Sequence, residues 1–278
     1  MSSLGTRNSE PRTFLTTSWD DGYPSDGRVA RLLAKYGLRG TFYVPRTAET
    51  ATMRPEAVRE LAGSFEVGGH TLNHVVLTEA SDSQARDEIA GSKTWLEDLT
   101  GRPCPMFCPP KGKFASRHLD MIRTAGFAGV RTVELVSLDF PRPTAALLVM
   151  PTTVQAFVHG RAAYARNFAR RVGLRNLWLY MLHGRSRDWL TLSRRLLERT
   201  VRGGGVFHLW GHSWELDATG QWSRLEDALR LMAEYSHAAP PLTNGQVVAS
   251  RPSPSASEGL VSLAGARAQT ERTRGPAR

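Results

Sequence analysis

The chain has 278 residues, 41% hydrophobic and 22% charged, a composition that suits one large globular core and excludes collagen-like, coiled-coil and wholly disordered chains. No run approaches the roughly 18–20 consecutive apolar residues of a membrane span, and Met1 to Arg12 lacks the apolar stretch of a secretory signal, so a cytoplasmic protein with no transmembrane segment is expected. The two cysteines, Cys104 and Cys108, fit neither a disulfide scaffold nor a C-x2-C zinc knuckle, and the net charge of +10 leaves anionic partners open.

Short β-branched or aromatic runs alternate with helical patterns along the chain, the rhythm of βα units. Residues 1–12 read as a flexible segment. A strand is expected at 14–18, and it runs into Ser18-Trp19-Asp20-Asp21-Gly22, two adjacent carboxylates that suit chemistry at a strand end or a plain turn. A helix at 27–36, closed by Gly37, leads to a strand at 40–44 and a helix at 55–63 with Pro55 in its first position. The strand at 66–69 is followed by Gly69-His70-Thr71-Leu72-Asn73-His74, whose imidazoles, four residues apart, fall on one face of a helical turn and can grip one metal ion. Next come a helix at 82–99 and a strand at 106–108. Phe107-Cys108-Pro109-Pro110-Lys111-Gly112 then makes a rigid turn able to aim a backbone N–H into a pocket.

A helix at 116–125, strands at 127–131 and 147–150, and helices at 161–172 and 188–201 continue the alternation. The last strand, 206–210, carries His208 and leads to His212-Ser213-Trp214-Glu215, where a histidine can be either chemical or a satisfied core residue. After a helix at 223–235, residues 249–278 read as a disordered basic tail. Seven strands, each followed by a helix, predict an α/β fold, a deformed (β/α)7 TIM-like barrel forming a single domain over 13–248, with its chemistry at the strand ends.

Most of the excess positive charge lies between Arg161 and Arg202, where eleven Arg face only Asp188 and Glu198. Such a span can bind phosphate groups bidentately, dock on nucleic acid or an anionic membrane surface, or be no more than a solvated helix face.

Taken together, the order and spacing of these motifs resemble the family-four carbohydrate esterases, the polysaccharide deacetylases that include nodulation-type chitooligosaccharide deacetylases, over about residues 13–248. The family's T-F-D-D-G is met by Ser18-Trp19-Asp20-Asp21-Gly22, and its H-[ST]-x-x-H is met in full by His70-Thr71-Leu72-Asn73-His74. Its final His, with Trp and Glu behind it, looks like His212-Ser213-Trp214-Glu215, and Leu242-Thr243-Asn244-Gly245 resembles its closing segment.

The resemblance implies a divalent metal, Zn2+ or another transition ion, held by Asp21, His70 and His74, with Asp20 as general base. It implies that the backbone N–H of Lys111, where the family usually has Tyr, helps to hold the oxyanion and that His212 protonates the departing amine. The implied activity is a metal-dependent hydrolase removing acetyl from an N-acetylated amino sugar, either an oligosaccharide or a carrier-linked sugar whose phosphates the Arg-rich span would suit. No nucleic-acid partner is expected. The rival readings are a hydrolase of another non-peptide C–N bond, such as a formamide or a cyclic ureide, and a catalytically dead carbohydrate-binding barrel.

Two departures from the family pattern stand out. Cys108 occupies the place of the Arg that orients the base, and Arg131 at the next strand end is the proposed replacement, unless it pairs with Glu134 or reaches solvent. Cys108 itself reads as a small buried residue or a fourth metal ligand. The family's fourth motif has only Asp139 as a weak counterpart, and His208, on the same strand face as His212, suits a supporting role or the core.

Overall fold

Eight consecutive buried residues, Thr13–Asp20, form the first strand β1, and burial on both faces is what a parallel strand between a barrel bore and a layer of helices requires. The structure is a computed structural model describing residues 12–171, 174–183 and 188–250. In chain order, β1 is followed by α1 (Asp26–Lys35), β2 (Thr41–Val44), α2 (Pro55–Ser64), β3 (Glu66–Gly69), α3 (Asp82–Thr100), β4 (Met106–Phe107), α4 (Ser116–Thr124) and β5 (Gly129–Arg131). Then come β6 (Arg142–Pro143), β7 (Leu148–Met150), β8 (Val154–Gln155), α5 (Arg161–Arg171), α6 (Leu174–His183) and α7 (Trp189–Gly203). The order ends with β9 (Gly205–His212), α8 (Ser213–Thr219), α9 (Trp222–Glu234) and α10 (Asn244–Ala249).

The sheet runs β5-β4-β3-β2-β1-β9, every neighbour parallel. Residues 148–155 finish it: β7 pairs in parallel with β5, while β8, three residues later, pairs in parallel with β9. Between them Thr152 N–H donates to the Glu134 carbonyl at 2.9 Å and Thr153 N–H to the His208 carbonyl at 3.0 Å. One short segment therefore touches both edges and turns the sheet into a deformed seven-membered (β/α) barrel, as the strand count predicts. β6 is an antiparallel addition outside the ring.

Alternation along each strand sorts the side chains. Leu15, Trp19, Phe42, Val44, Phe107, Phe207 and Leu209 point outward into the main core beneath the helices. Phe14, Tyr43, Met106, Cys108, Met150 and Val206 fill the bore, where Val247 and Val248 of α10 join them. Asn244 fixes that plug by donating its amide to the Tyr43 hydroxyl at 3.0 Å and its backbone N–H to Thr41 at 2.9 Å. Apolar filling and the plug occupy the amino-terminal end of the bore, and polar side chains take over toward its carboxy-terminal rim.

A compact unit ends at Val248. Arg12, read above as part of the flexible segment, accepts at its carbonyl from Gly205 N–H at 2.9 Å. Residues 1–11 and 251–278 lie outside the described residues. The short strands β6 and β8 and the helices α6, α8 and α10 have no counterpart in the sequence reading.

Candidate active site

β1 and β9 lie side by side with Asp20 opposite His212, so their alternation delivers a carboxylate and an imidazole to the same rim. The chain then turns sharply. Asp21 takes a left-handed φ of 75° and Gly22 one of 57°, and a Cβ on Gly22 would meet Val44 Cγ1 at 2.7 Å. Five non-glycine residues among those described adopt positive φ, and four of them, Asp21, Thr71, His74 and Lys111, belong to this rim. Backbone strain gathers where functional groups must be aimed.

Residues 70–74 do not form the helical turn expected from their spacing. They make an irregular loop with Thr71 and His74 left-handed, held by Glu88 of α3, whose carboxylate accepts from both the backbone and the side-chain amide of Asn73 at 2.8 Å. The two imidazoles nevertheless converge. Asp21 Oδ1 stands 3.3 Å from His70 Nε2 and 3.2 Å from His74 Nε2, and Asp21 Oδ2 accepts from the Trp214 indole at 2.9 Å.

The chemistry of this donor set fits a metal ion. The Nδ1 of His70 lies 2.6 Å from the Cys108 carbonyl, which can only accept, so Nδ1 carries the proton and Nε2 turns a bare lone pair toward a carboxylate oxygen. Two acceptors facing each other repel unless a cation stands between them. Ligand atoms at the usual 2.0–2.1 Å from a tetrahedral zinc stand about 3.3 Å from one another, close to the spacing found here, whereas a charge-assisted hydrogen bond would be nearer about 2.8 Å. Burial would raise the Asp21 carboxyl, but the imidazoles of His70 and His74 facing it outweigh burial and hold the group far below the usual carboxylate range, so it stands as a carboxylate able to ligate.

Asp20 is buried and forms an ion pair with Arg131 from the end of β5. The guanidinium is wholly buried between the rings of Tyr43 and Trp210, 5.0 and 4.7 Å from their centroids. Arg131 thus pairs with neither Glu134 nor solvent. Glu134 instead accepts from Arg142 and from Asn176 of α6. Cys108 Sγ lies 3.8 Å from Asp20 Oδ2, and burial pushes its thiol well up, which suits a small buried residue better than a thiolate ligand.

His212 hydrogen-bonds through Nδ1 to Glu215 at 2.8 Å, and its Nε2 stands 4.0 Å from oxygens of both Asp20 and Asp21. Burial alone would lower this imidazole, yet Glu215 and the neighbouring carboxylates lift it to about 9. Behind Glu215 the Gln155 amide donates at 3.0 Å, and the Gln155 oxygen meets His159 at 2.8 Å. Sequence reasoning missed Gln155 and His159. Their only signal was a polar pair four residues apart after the last short strand.

Lys111 sits left-handed in the turn after β4, and among the described residues no protein carbonyl accepts its N–H. His208 and Asp139 stand apart from this group. His208 is buried one step down the bore, bonded to Ser18 at 2.8 Å, and burial together with the Arg131 charge drops it to about 3, so it stays neutral. Asp139 pairs with Arg175 and Ser137.

The rim opens into a cavity of about 490 Å³ lined by Asp20, Asp21, His70, His74, Lys111, His212 and Trp214, with Val133, Leu135, Ala163 and Asn167 on one wall.

A family model for polysaccharide deacetylases matches residues 7–130. A peptidoglycan-N-acetylglucosamine deacetylase from Bacillus cereus is 28% identical over 123 residues, 43% of this chain and 55% of that protein, so the match spans about half of the relative's length. Among solved structures, a Mycobacterium smegmatis protein described as a polysaccharide deacetylase aligns with a TM-score of 0.61 at 14% identity, covering 87% of this chain and 96% of that one. The chitin deacetylase of the fungal pathogen Colletotrichum lindemuthianum aligns with a TM-score of 0.55 at 14% identity, covering 87% and 90%. At that identity the two structural likenesses speak to the fold.

Proposed function

We infer that this chain, which belongs to the polysaccharide deacetylase family, removes acetyl from an N-acetylated amino sugar, an oligosaccharide or a carrier-linked sugar, with the help of a zinc-like divalent ion. The observation that carries the reading is the convergence of Asp21 Oδ1 with two imidazole nitrogens, one of them with its proton committed elsewhere, beside Asp20 and His212 in one cavity.

Asp21, His70 and His74 would hold the ion, whose chemistry when bound is to polarise the amide carbonyl and lower the pKa of a water molecule. Asp20, kept in place by Arg131, takes the proton of the attacking water. The Lys111 N–H, which no acceptor among the described residues takes, donates to the carbonyl oxygen as that oxygen gains charge. His212, oriented by Glu215 at Nδ1, delivers a proton from Nε2 to the departing amine, and acetate leaves.

Elemental analysis combined with acetate release from a panel of N-acetylated sugars tests this division of roles. Asp20→Asn is expected to retain metal while losing on the order of 10²- to 10⁴-fold in turnover. Asp21→Asn and His70→Ala are expected to lose metal and turnover together. Equal metal loss in Asp20→Asn and Asp21→Asn, or full acetate release from metal-stripped protein, would overturn the reading.

A further inference from the structure

Six large hydrophobic side chains are exposed among the described residues, and five of them lie on α6: Leu174, Leu177, Trp178, Met181 and Leu182. At 100° per residue their spacing covers a continuous arc of about 140° on the ten-residue helix. Exposure reaches 73% at Leu174 and 66% at Trp178.

The opposite side of α6 is already docked. Tyr180 stacks on Tyr164 of α5 with centroids 4.7 Å apart, and the buried Asn176 donates to Glu134 at 2.9 Å and to the Leu135 carbonyl at 3.1 Å. Among the described residues, then, the core lies on the far side of α6 and nothing covers the outer stripe. A contiguous apolar patch of this kind on a folded surface marks a contact surface.

Its surroundings say what it contacts. No Asp or Glu occurs from Arg161 to Arg187, while seven Arg do, including Arg166, exposed on α5, and Arg175, which pairs with Asp139 at the edge of the apolar arc. Trp and Leu on one arc, in a stretch of chain rich in Arg and free of Asp and Glu, is the pattern that seats at the headgroup boundary of an anionic bilayer, with rings and aliphatic groups inward and cationic groups toward phosphates. A second copy fits less well, because a two-fold contact through this face would set like charges against one another. We propose that α6 docks the protein on an anionic phospholipid surface.

The proposal goes beyond the deacetylase reading and does not depend on it. It does connect to the cavity. Asn167 of α5 donates to the Val133 carbonyl at 2.8 Å and accepts from Leu135 N–H at 3.0 Å, so the helix pair that carries the stripe also braces the cavity wall.

Flotation of the full chain with phosphatidylcholine vesicles, with and without phosphatidylglycerol, provides the test. Wild-type protein is expected to float only with the anionic vesicles, and the Trp178→Ser/Leu182→Ser variant to lose on the order of tenfold to a hundredfold in partitioning while keeping the wild-type far-UV circular dichroism and Tm. Three outcomes would overturn the proposal. One is no binding to either vesicle, and another is undiminished binding by the variant, which would move the contact to another segment. The third is a dimer in sedimentation that the variant dissolves.

Discussion

At the barrel rim, charged groups lie largely buried at the floor of a cavity, and along the outer face of α6, apolar groups lie in water. The rim answers most of its buried charge from within the chain: Asp20 with Arg131, Asp21 with the Trp214 indole, His212 with Glu215. On α6 the described residues supply no such answer. The contrast separates groups whose removal must cost stability or chemistry, because a partner is stranded, from groups whose removal strands nothing in the folded chain.

The largest expected effect lies at the rim. Arg131 is wholly buried, and among the described residues its Nε and Nη1 find no hydrogen-bond acceptor, so its charge rests on Asp20 and on the two rings flanking it. Removing one member of such a pair leaves a buried charge uncompensated, at about 3–5 kcal/mol. Arg131→Ala is expected to lose that much stability in denaturant unfolding, and the Asp20→Asn/Arg131→Met double variant to recover much of it. A loss under about 1 kcal/mol for Arg131→Ala would break the contrast, by showing that water reaches the buried carboxylate that Arg131 leaves behind.

This pair also shows how far the sequence can be read. Asp20, Asp21, His70, His74 and His212 were legible because each lies at or just beyond a strand end, and strand ends meet at one rim whatever lies between them. Arg131 was legible for the same reason, as a cation at a strand end next to a position that lacks one. Gln155 ends β8, a two-residue strand too short for periodicity to reveal, and His159 lies four residues beyond it, so their connection to Glu215 across 60 residues exists only in three dimensions. The stripe of α6 misleads in another way. Apolar residues at i, i+3, i+4 and i+7 read as a core face, and nothing in their spacing says that the core lies on the other side.

A smaller effect is expected at Glu215, whose carboxylate holds the imidazole of His212. A hydrogen bond between charged groups contributes about 1.5–3 kcal/mol, so Glu215→Gln should lower kcat on the order of tenfold to a hundredfold with metal content unchanged. Unchanged turnover would reduce Glu215 to a packing residue and leave the acid unsupported.

His208 sharpens the contrast through pH. It is folded neutral at about 3, against 6.5 when exposed, so the unfolded chain binds the extra proton between those values. The sign follows: this contribution is fully present above pH 6.5 and is lost as pH falls toward 3, at up to about 1.4 kcal/mol per pH unit. Unfolding free energies at successive pH values should show a shallower acid slope in His208→Gln than in wild type. Equal slopes would mean that His208 is hydrated in the folded barrel.

The smallest effect is expected on α6, and its smallness carries the argument. Trp178 and Leu182 are exposed in the fold, as they are in the unfolded chain, so folding removes little of their surface from water. Trp178→Ser/Leu182→Ser should therefore stay within about 0.5 kcal/mol of wild type in the absence of vesicles, as surface substitutions do. A measured loss of about 2 kcal/mol or more would mean that folding hides these side chains after all. The outer face of α6 would then be answered within the chain, as the rim is, and the two regions would no longer differ in kind.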